Sequence, residues 1–270
     1  MKCTLLALLV LSVVLMGSAS LAADEKKPAL SAAEIISKHL EAAGGKEKLS
    51  QIESRIAIGT IRKENDPEVN MAIMSEANRL AAAFLFPSYD WRLGYDGSKT
   101  VFRPQLPRIY SVIEAKYREM MASGLMFNNI SLYNLLLQSS DKVKFEAKGT
   151  KKMRGRDAYV VEVKRPTGDS MRVYFDTQSF MWVRSDYGKI HISQEIKRFT
   201  NEVVPHGQDE LTVDFYIETS DFRDVNGVKL PFRFELLVTI PILRQKTSGT
   251  ITGIISAYRH NEPISPAMFQ

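Results

Sequence analysis

Cysteine is the first thing missing. The 270-residue chain has one, Cys3, ahead of its first apolar run, so residues 23–270 can form no disulfide. Those residues have to be held by their core alone. Metal-ligand patterns are missing as well. The four histidines, His39, His191, His206 and His260, are not spaced as ligands on one helix, and no H-E-x-x-H occurs. We therefore expect no metal and no cofactor. There is no G-x-S-x-G for a serine hydrolase. "GDSM", Gly168 to Met171, is explained by a hairpin turn, and Asp221 and Asp224 suit a turn before Asn226-Gly227 better than an acid pair. A phosphate loop is excluded too. In "AAGGKEKLS", Ala42 to Ser50, Lys46 is followed by Glu47 rather than Ser or Thr, and a helix pattern precedes it instead of a strand. Nothing points to nucleic acid. The net charge is +5, and the one dense basic run, Lys148 to Arg156, lacks aromatic interleaving. It reads as a solvated hairpin turn, with anionic lipid headgroups as the other partner it would suit.

Long apolar runs are scarce. Thr4 to Met16 is followed by small residues ending in Ser20-Leu21-Ala22. This is the layout of a signal peptide cleaved after about Ala22, which predicts export, with residues 23–270 as one domain. No later run is long enough for a transmembrane helix.

What the chain does have is order of two kinds. "LSAAEIISKHLEAA" has a capping box, Ser31 with Glu34, and an apolar stripe of Ile35, Ile36, His39, Leu40 and Ala43. Gly44 closes this helix. From Arg55 the period becomes two. Ile56, Ile58 and Thr60 alternate with Ala57, Gly59 and Ile61, followed by Val69, Met71, Ile73, then Leu80, Ala82, Phe84, Phe86, then Trp91, Leu93, Tyr95. Such alternation marks antiparallel strands with one buried face. Residues 108–138 read as two helices, and eight further strand candidates run from Lys142 to Arg259. The expected fold is α+β, mostly β: one strongly curved antiparallel sheet of about eleven strands, a half-open barrel, covered by helices.

Methionine is frequent, at 11 residues, with Met120, Met121 and Met126 clustered in the central helical region. Met adapts to apolar partners of varied shape, which suits either ordinary core packing or a pliable lid over an apolar ligand.

Three stretches carry a family resemblance. They are "AAEIISKHLEAAGGKEKLSQIESRIAIGTI", "GRDAYVVEVKRPTGDSMRVYFDTQSFMWVR" and "DFRDVNGVKLPFRFEL". Through Gly44, Gly45, Leu49 and Ile52, then Asp176, then Asp221, Asn226, Gly227, Leu230 and Pro231, the chain resembles periplasmic outer-membrane lipoprotein carriers and their sorting-protein relatives (LolA/LolB-like). The resemblance implies a half-open barrel with a helical lid and a hydrophobic cavity for acyl chains. It also implies an inward arginine that fastens the lid; Arg55, Arg62 and Arg79 compete for that role. The expected function is carriage, without catalysis, of the acyl chains of a lipid or lipoprotein in the periplasm, with transient contacts to membrane-bound donor or acceptor proteins. The expected cavity residues are Ile58, Met71, Ile73, Phe84, Phe86 and Trp91. The expected lid residues are Met120, Met121, Met126 and Phe127. The alternatives are an envelope structural protein with a filled core and, less favoured, a secreted hydrolase.

Overall fold

A computed structural model of the chain describes residues 30–64, 66–85, 90–98, 100–103, 136, 143–164, 170–192, 211–242 and 245–270. Ser31–Gln270 form one compact unit. The expected lid residues Met120, Met121, Met126 and Phe127, and the cavity residue Phe86, lie outside the described residues.

The first helix, α1 (Ala32–Ala42), starts where the capping box predicts. The Glu34 amide donates to Ser31 Oγ at 3.2 Å, and the Ser31 amide donates to Glu34 Oε2 at 2.8 Å. It buries Ile35, Ile36, His39 and Leu40. Gly44 (φ 126°) and Gly45 (φ 94°) then turn the chain into α2 (Lys46–Ser50). These angles are open to glycine and costly for other residues.

Among the described residues twelve strands follow: β1 (Ser54–Lys63), β2 (Val69–Glu76), β3 (Arg79–Leu85), β4 (Asp90–Tyr95), β5 (Thr100–Arg103), β6 (Lys144–Met153), β7 (Arg156–Lys164), β8 (Ser170–Asp176), β9 (Trp182–Ile192), β10 (Leu211–Val225), β11 (Val228–Ile242) and β12 (Gln245–His260). They form one antiparallel sheet in the order β5-β4-β3-β2-β1-β12-β11-β10-β9-β8-β7-β6. Among the described residues the sheet is open, with β5 and β6 as its edges. The sequence pattern missed β5, which is only four residues long and follows the Asp96-Gly97 turn. It also divided β9 in two at Gly188. The strand absorbs that glycine at φ 70°, with the Gly188 amide donating to Asp186 Oδ1 at 2.9 Å.

The two faces of the sheet are covered differently. Val161, Val173 and Phe175 lie on one face, called inner here, together with α1. The His39 ring lies 4.8 Å from that of Phe175, and its Nδ1 is 2.9 Å from the Phe180 carbonyl oxygen. On the outer face, the C-terminal segment with its 3-10 helix (Pro266–Phe269) packs over β3 and β4. Ile264 and Phe269 join Met74, Ala81 and Ile56 there in a second apolar cluster.

The Gly-Gly stretch after α1 serves docking. The β10–β11 hairpin turns through Asn226 (φ 56°) and Gly227 (φ 80°), the positive pair that a tight hairpin turn needs. The Lys229 amide donates to the Ala43 carbonyl at 2.9 Å, which joins the end of α1 to this hairpin. A side chain at Gly44 would collide with the Gly227 carbonyl oxygen. Gly155 also has a positive φ (84°), but open space surrounds it. We expect Gly155→Ala to cost about 1–2 kcal/mol, the strain of the left-handed backbone. Gly44→Ala should cost more, about 3 kcal/mol or above, because α1 must also move off the hairpin. Urea midpoints at unchanged m check this; equal losses for the two variants would refute the docking role of Gly44.

His39 and His260 give the fold a pH dependence. Burial lowers the His39 pKa from 6.5 to about 4, despite the backbone hydrogen bond to Phe180. Burial and then the Arg55 charge lower His260 to about 4. The unfolded chain binds protons at these sites from about pH 6.5 downward, and the folded chain does so only near pH 4. Stability should be full above pH 6.5 and fall as pH drops to 4, with about 3 kcal/mol attributable to His39. His39→Leu should flatten part of this slope in pH-dependent denaturation; an unchanged slope would contradict the assignment.

Candidate functional site

Strand pairing brings an apolar layer together on the inner face of the first half of the sheet. Ala57, Ile73, Ala82 and Leu93 stand in one row across β1 to β4, and Gly59, Met71, Phe84 and Trp91 in the next. Leu80, Tyr95, Phe232 and Ile255 complete the layer, with Ile61, Val69, Val225, Phe234 and Tyr258 packed against it. All of these residues come from strands. Each fully buried large side chain of this type contributes about 1.5–3 kcal/mol.

Three of the expected cavity residues therefore come together: Met71, Ile73 and Phe84, at 2%, 4% and 6% exposure. Trp91 joins them by register, opposite Phe84; its side chain is outside what is described. Ile58 does not join them. It pairs with Ala72, whose neighbours across β3 and β4 are Ala83 and Arg92, and it belongs to the outer face. This corrects the expected grouping. The physical reason is the C-terminal segment, which gives the even-numbered residues of β1 an apolar partner, so isoleucines occur on both faces.

The pattern also passed over several inner residues. Phe232 and Phe234 alternate in "KLPFRFEL" and could have been found by period. Ile255 is hidden by a bulge: the β1–β12 register shifts between Ile58 and Gly59. A side chain at Gly59 would strike the Ile254 carbonyl oxygen, so the bulge requires glycine there.

Of the three arginines in competition, Arg55 is the inward one, 2% exposed. Its Nε donates to His260 Nε2 at 3.2 Å. Arg62 is exposed, and Arg79 pairs with Glu76.

A pocket of about 360 Å³ lies on the outer face, between the β6–β7 turn and β10–β11. Three of its charged residues, Arg154, Glu218 and Glu235, are engaged in ion pairs. Arg154 reaches Glu218 at 2.5 Å and Glu235 at 2.7 Å, and Arg233 also bonds Glu235 at 2.8 Å. Hydrogen bonds from Arg154 and Arg233 hold the Glu235 pKa below the usual carboxylate range. Burial acts to raise Asp176, but hydrogen bonds from Ser179 and Gln178 hold it low as well. A general acid needs the opposite shift. Asp224 serves the hairpin turn, accepting from the Gly227 amide at 2.9 Å, while Asp221, inside β10, pairs with Arg223 at 2.6 Å. Among the described residues, no three His, Cys, Asp or Glu side chains are grouped to hold a metal, and no helix is long and apolar enough to cross a membrane.

No family model and no curated protein matches the chain. Solved structures do. A DUF1329 family protein from Desulfovibrio piger is similar over 87% of this chain and 95% of its own, at 11% identity and TM-score 0.49. A putative outer membrane lipoprotein-sorting protein domain from Vibrio parahaemolyticus covers 87% and 97%, at 12% identity and TM-score 0.45. A LolA superfamily protein from Nitrosomonas europaea covers 90% and 98%, at 11% identity and TM-score 0.44.

The two faces predict different tolerance. Ile73→Asn buries an amide inside the layer and should cost about 3 kcal/mol or more. Ile58→Asn, on the half-buried outer side, should cost about 1 kcal/mol or less. Thermal or chemical denaturation of both checks this, and a reversed order would refute the face assignment.

Proposed function

We propose that the protein is an exported, non-enzymatic binding protein that holds the acyl chains of a lipid or lipoprotein on the inner face of its sheet. The observation that carries this reading is the continuous apolar layer of Met71, Ile73, Leu80, Phe84, Leu93, Phe232 and Ile255 on an open sheet. An open sheet with an apolar inner face can take in a chain and release it, which a closed core cannot do. Burying about ten methylenes gives roughly 8 kcal/mol gross, part of which is lost to ordering the chain. The remainder is a grip firm enough for transit and weak enough for transfer.

In this reading residues 1–22 are a signal peptide, residues 23–270 act in the periplasm as one domain, and Met120, Met121, Met126 and Phe127 form the lid. Phe86 and Trp91 extend the acyl site. Donor and acceptor proteins at the membranes exchange the cargo, as in outer-membrane lipoprotein sorting. Denaturing extraction of the mature protein from its native envelope, followed by mass spectrometry, tests the proposal. A stoichiometric lipid or acylated peptide is expected, and Met121→Asp with Phe127→Asp should lose it while staying folded.

A second reading is favoured by one observation: the layer is already buried, with Leu80 at 1% and Met71 at 2% exposure. A filled core of an envelope structural protein would be buried in the same way. Ala82→Trp separates the two, because Ala82 stands mid-row between Ile73 and Leu93. In a carrier the indole occupies the acyl site, so binding is lost and stability changes by about 1 kcal/mol or less. In a filled core it overpacks and costs about 3 kcal/mol or more.

A further inference from the structure

The β6–β7 hairpin carries a charge that its turn does not call for. Met153 pairs with Arg156, which leaves Arg154 (φ 45°) and Gly155 (φ 84°) as a two-residue turn. Asparagine or glycine is favoured at the first of these positions, and a longer side chain there is strained. What the arginine adds is its side chain. It is 66% exposed, yet it is tied to Glu218 of β10 at 2.5 Å and to Glu235 of β11 at 2.7 Å. In the sheet order β10 lies three places from β7, and β11 four. At about 4.8 Å per strand, a flat sheet would put them about 14 and 19 Å away, further than an arginine extends. The turn end of the hairpin therefore bends back over the outer face, across β8 and β9. The cavity of about 360 Å³ lies between this end and β10–β11, with Met153, Ala158 and Val183 in its lining.

The receiving pair is built both to hold and to release. Glu218 and Glu235 stand directly opposite each other in the register of β10 and β11. Like charges so placed repel, and a cation between them turns the repulsion into attraction. Each glutamate also has an arginine from the sheet itself. Arg184 Nη1 is 3.5 Å from Glu218, and Arg233 donates to Glu235 at 2.8 Å. Withdrawal of Arg154 thus leaves neither carboxylate bare. The hairpin has two supported positions: bent over the cavity with the bridge made, or lifted with each glutamate neutralised by its neighbour. Salt screens an exposed ion pair, so the balance between the two positions responds to ionic strength.

We propose that the β6–β7 hairpin is a strap: Arg154, bridging Glu218 and Glu235, holds it closed over the outer-face cavity, and it lifts when that bridge is screened or lost. The cavity is then a compartment with a salt-dependent entrance. It lies on the opposite face from the apolar layer, so the strap stands or falls independently of acyl binding.

The test is the rate at which N-ethylmaleimide, an uncharged reagent, modifies a single introduced thiol in the mature protein. Residues 23–270 contain no cysteine of their own. Ala158→Cys is the reporter, because Ala158 lines the cavity and is 2% exposed. Val173→Cys, at a fully buried position on the inner face of β8, is the control. Arg154→Asn removes the cation and keeps a residue suited to the turn. We expect Ala158→Cys to react about tenfold faster in about 1 M than in about 0.05 M salt. With Arg154→Asn added, it should react at the faster rate in both, while Val173→Cys stays slow throughout. A salt-independent rate with Arg154 present, or equal low-salt rates with arginine and asparagine, overturns the strap. So does an acceleration of Val173→Cys in step with Ala158→Cys, which would mean that the whole sheet loosens. If Ala158→Cys does not fold, tryptic nicking after Lys152 or Arg156 at low salt decides the matter. Severalfold faster nicking in Arg154→Asn than in the unmodified protein supports the strap, and equal nicking overturns it.

Discussion

The pairing of β1 with β12 is the constraint on which the rest depends. The described strands form two meanders, β1 to β5 and β6 to β12, and in the sheet they meet at this pair alone. The residues that meet are far apart in the chain: Arg55 and His260 are separated by 205 positions. Pairing of such long range closes late, because its loop-closure entropy must be met before its contacts form. Asn261 secures it at one end. Its side chain donates to the Gln51 carbonyl at 3.0 Å and accepts from the Glu53 amide at 2.9 Å, while its own amide donates to the Ser54 carbonyl at 2.9 Å. The bulge at Gly59 then resets the alternation, so that Ile255 and Tyr258 both reach the inner layer although they are an odd number of residues apart.

That pairing also makes the site. It supplies Phe232, Ile255 and Tyr258 from the second meander to a layer otherwise built from the first. It sets His260 against Arg55, so a buried cation stands at the end of an apolar surface rather than in its middle. The arrangement follows from register alone: in a sheet, a slip of one residue exchanges the faces.

Glycines mark the places where backbone comes close to backbone. Gly44 allows the end of α1 to rest on the Gly227 carbonyl, and Gly59 makes room for the Ile254 carbonyl. At Gly94 a side chain would meet the backbone of Phe269, so this glycine lets the C-terminal segment lie against β4. Each contact joins elements remote in sequence, and each lacks the volume for even a methyl group.

Much of this was legible in the residues themselves. The capping box of Ser31 and Glu34, the closing Gly44, the Asn226-Gly227 turn and the alternation of Met71 with Ile73 are local patterns whose energetics involve neighbours in the chain. They were sufficient for the elements and for an antiparallel, mostly β fold. The sequence alone was less able to say which side of a strand faces inward. "RIAIGTI" carries isoleucine in both alternations, and only the outer cover of Ile264 and Phe269 explains why Ile56 and Ile58 point away from the layer. It likewise left Arg55, Arg62 and Arg79 equivalent. Tertiary structure separated them, because burial depends on what lies opposite a residue. For Arg55 that is His260, from the far end of the chain.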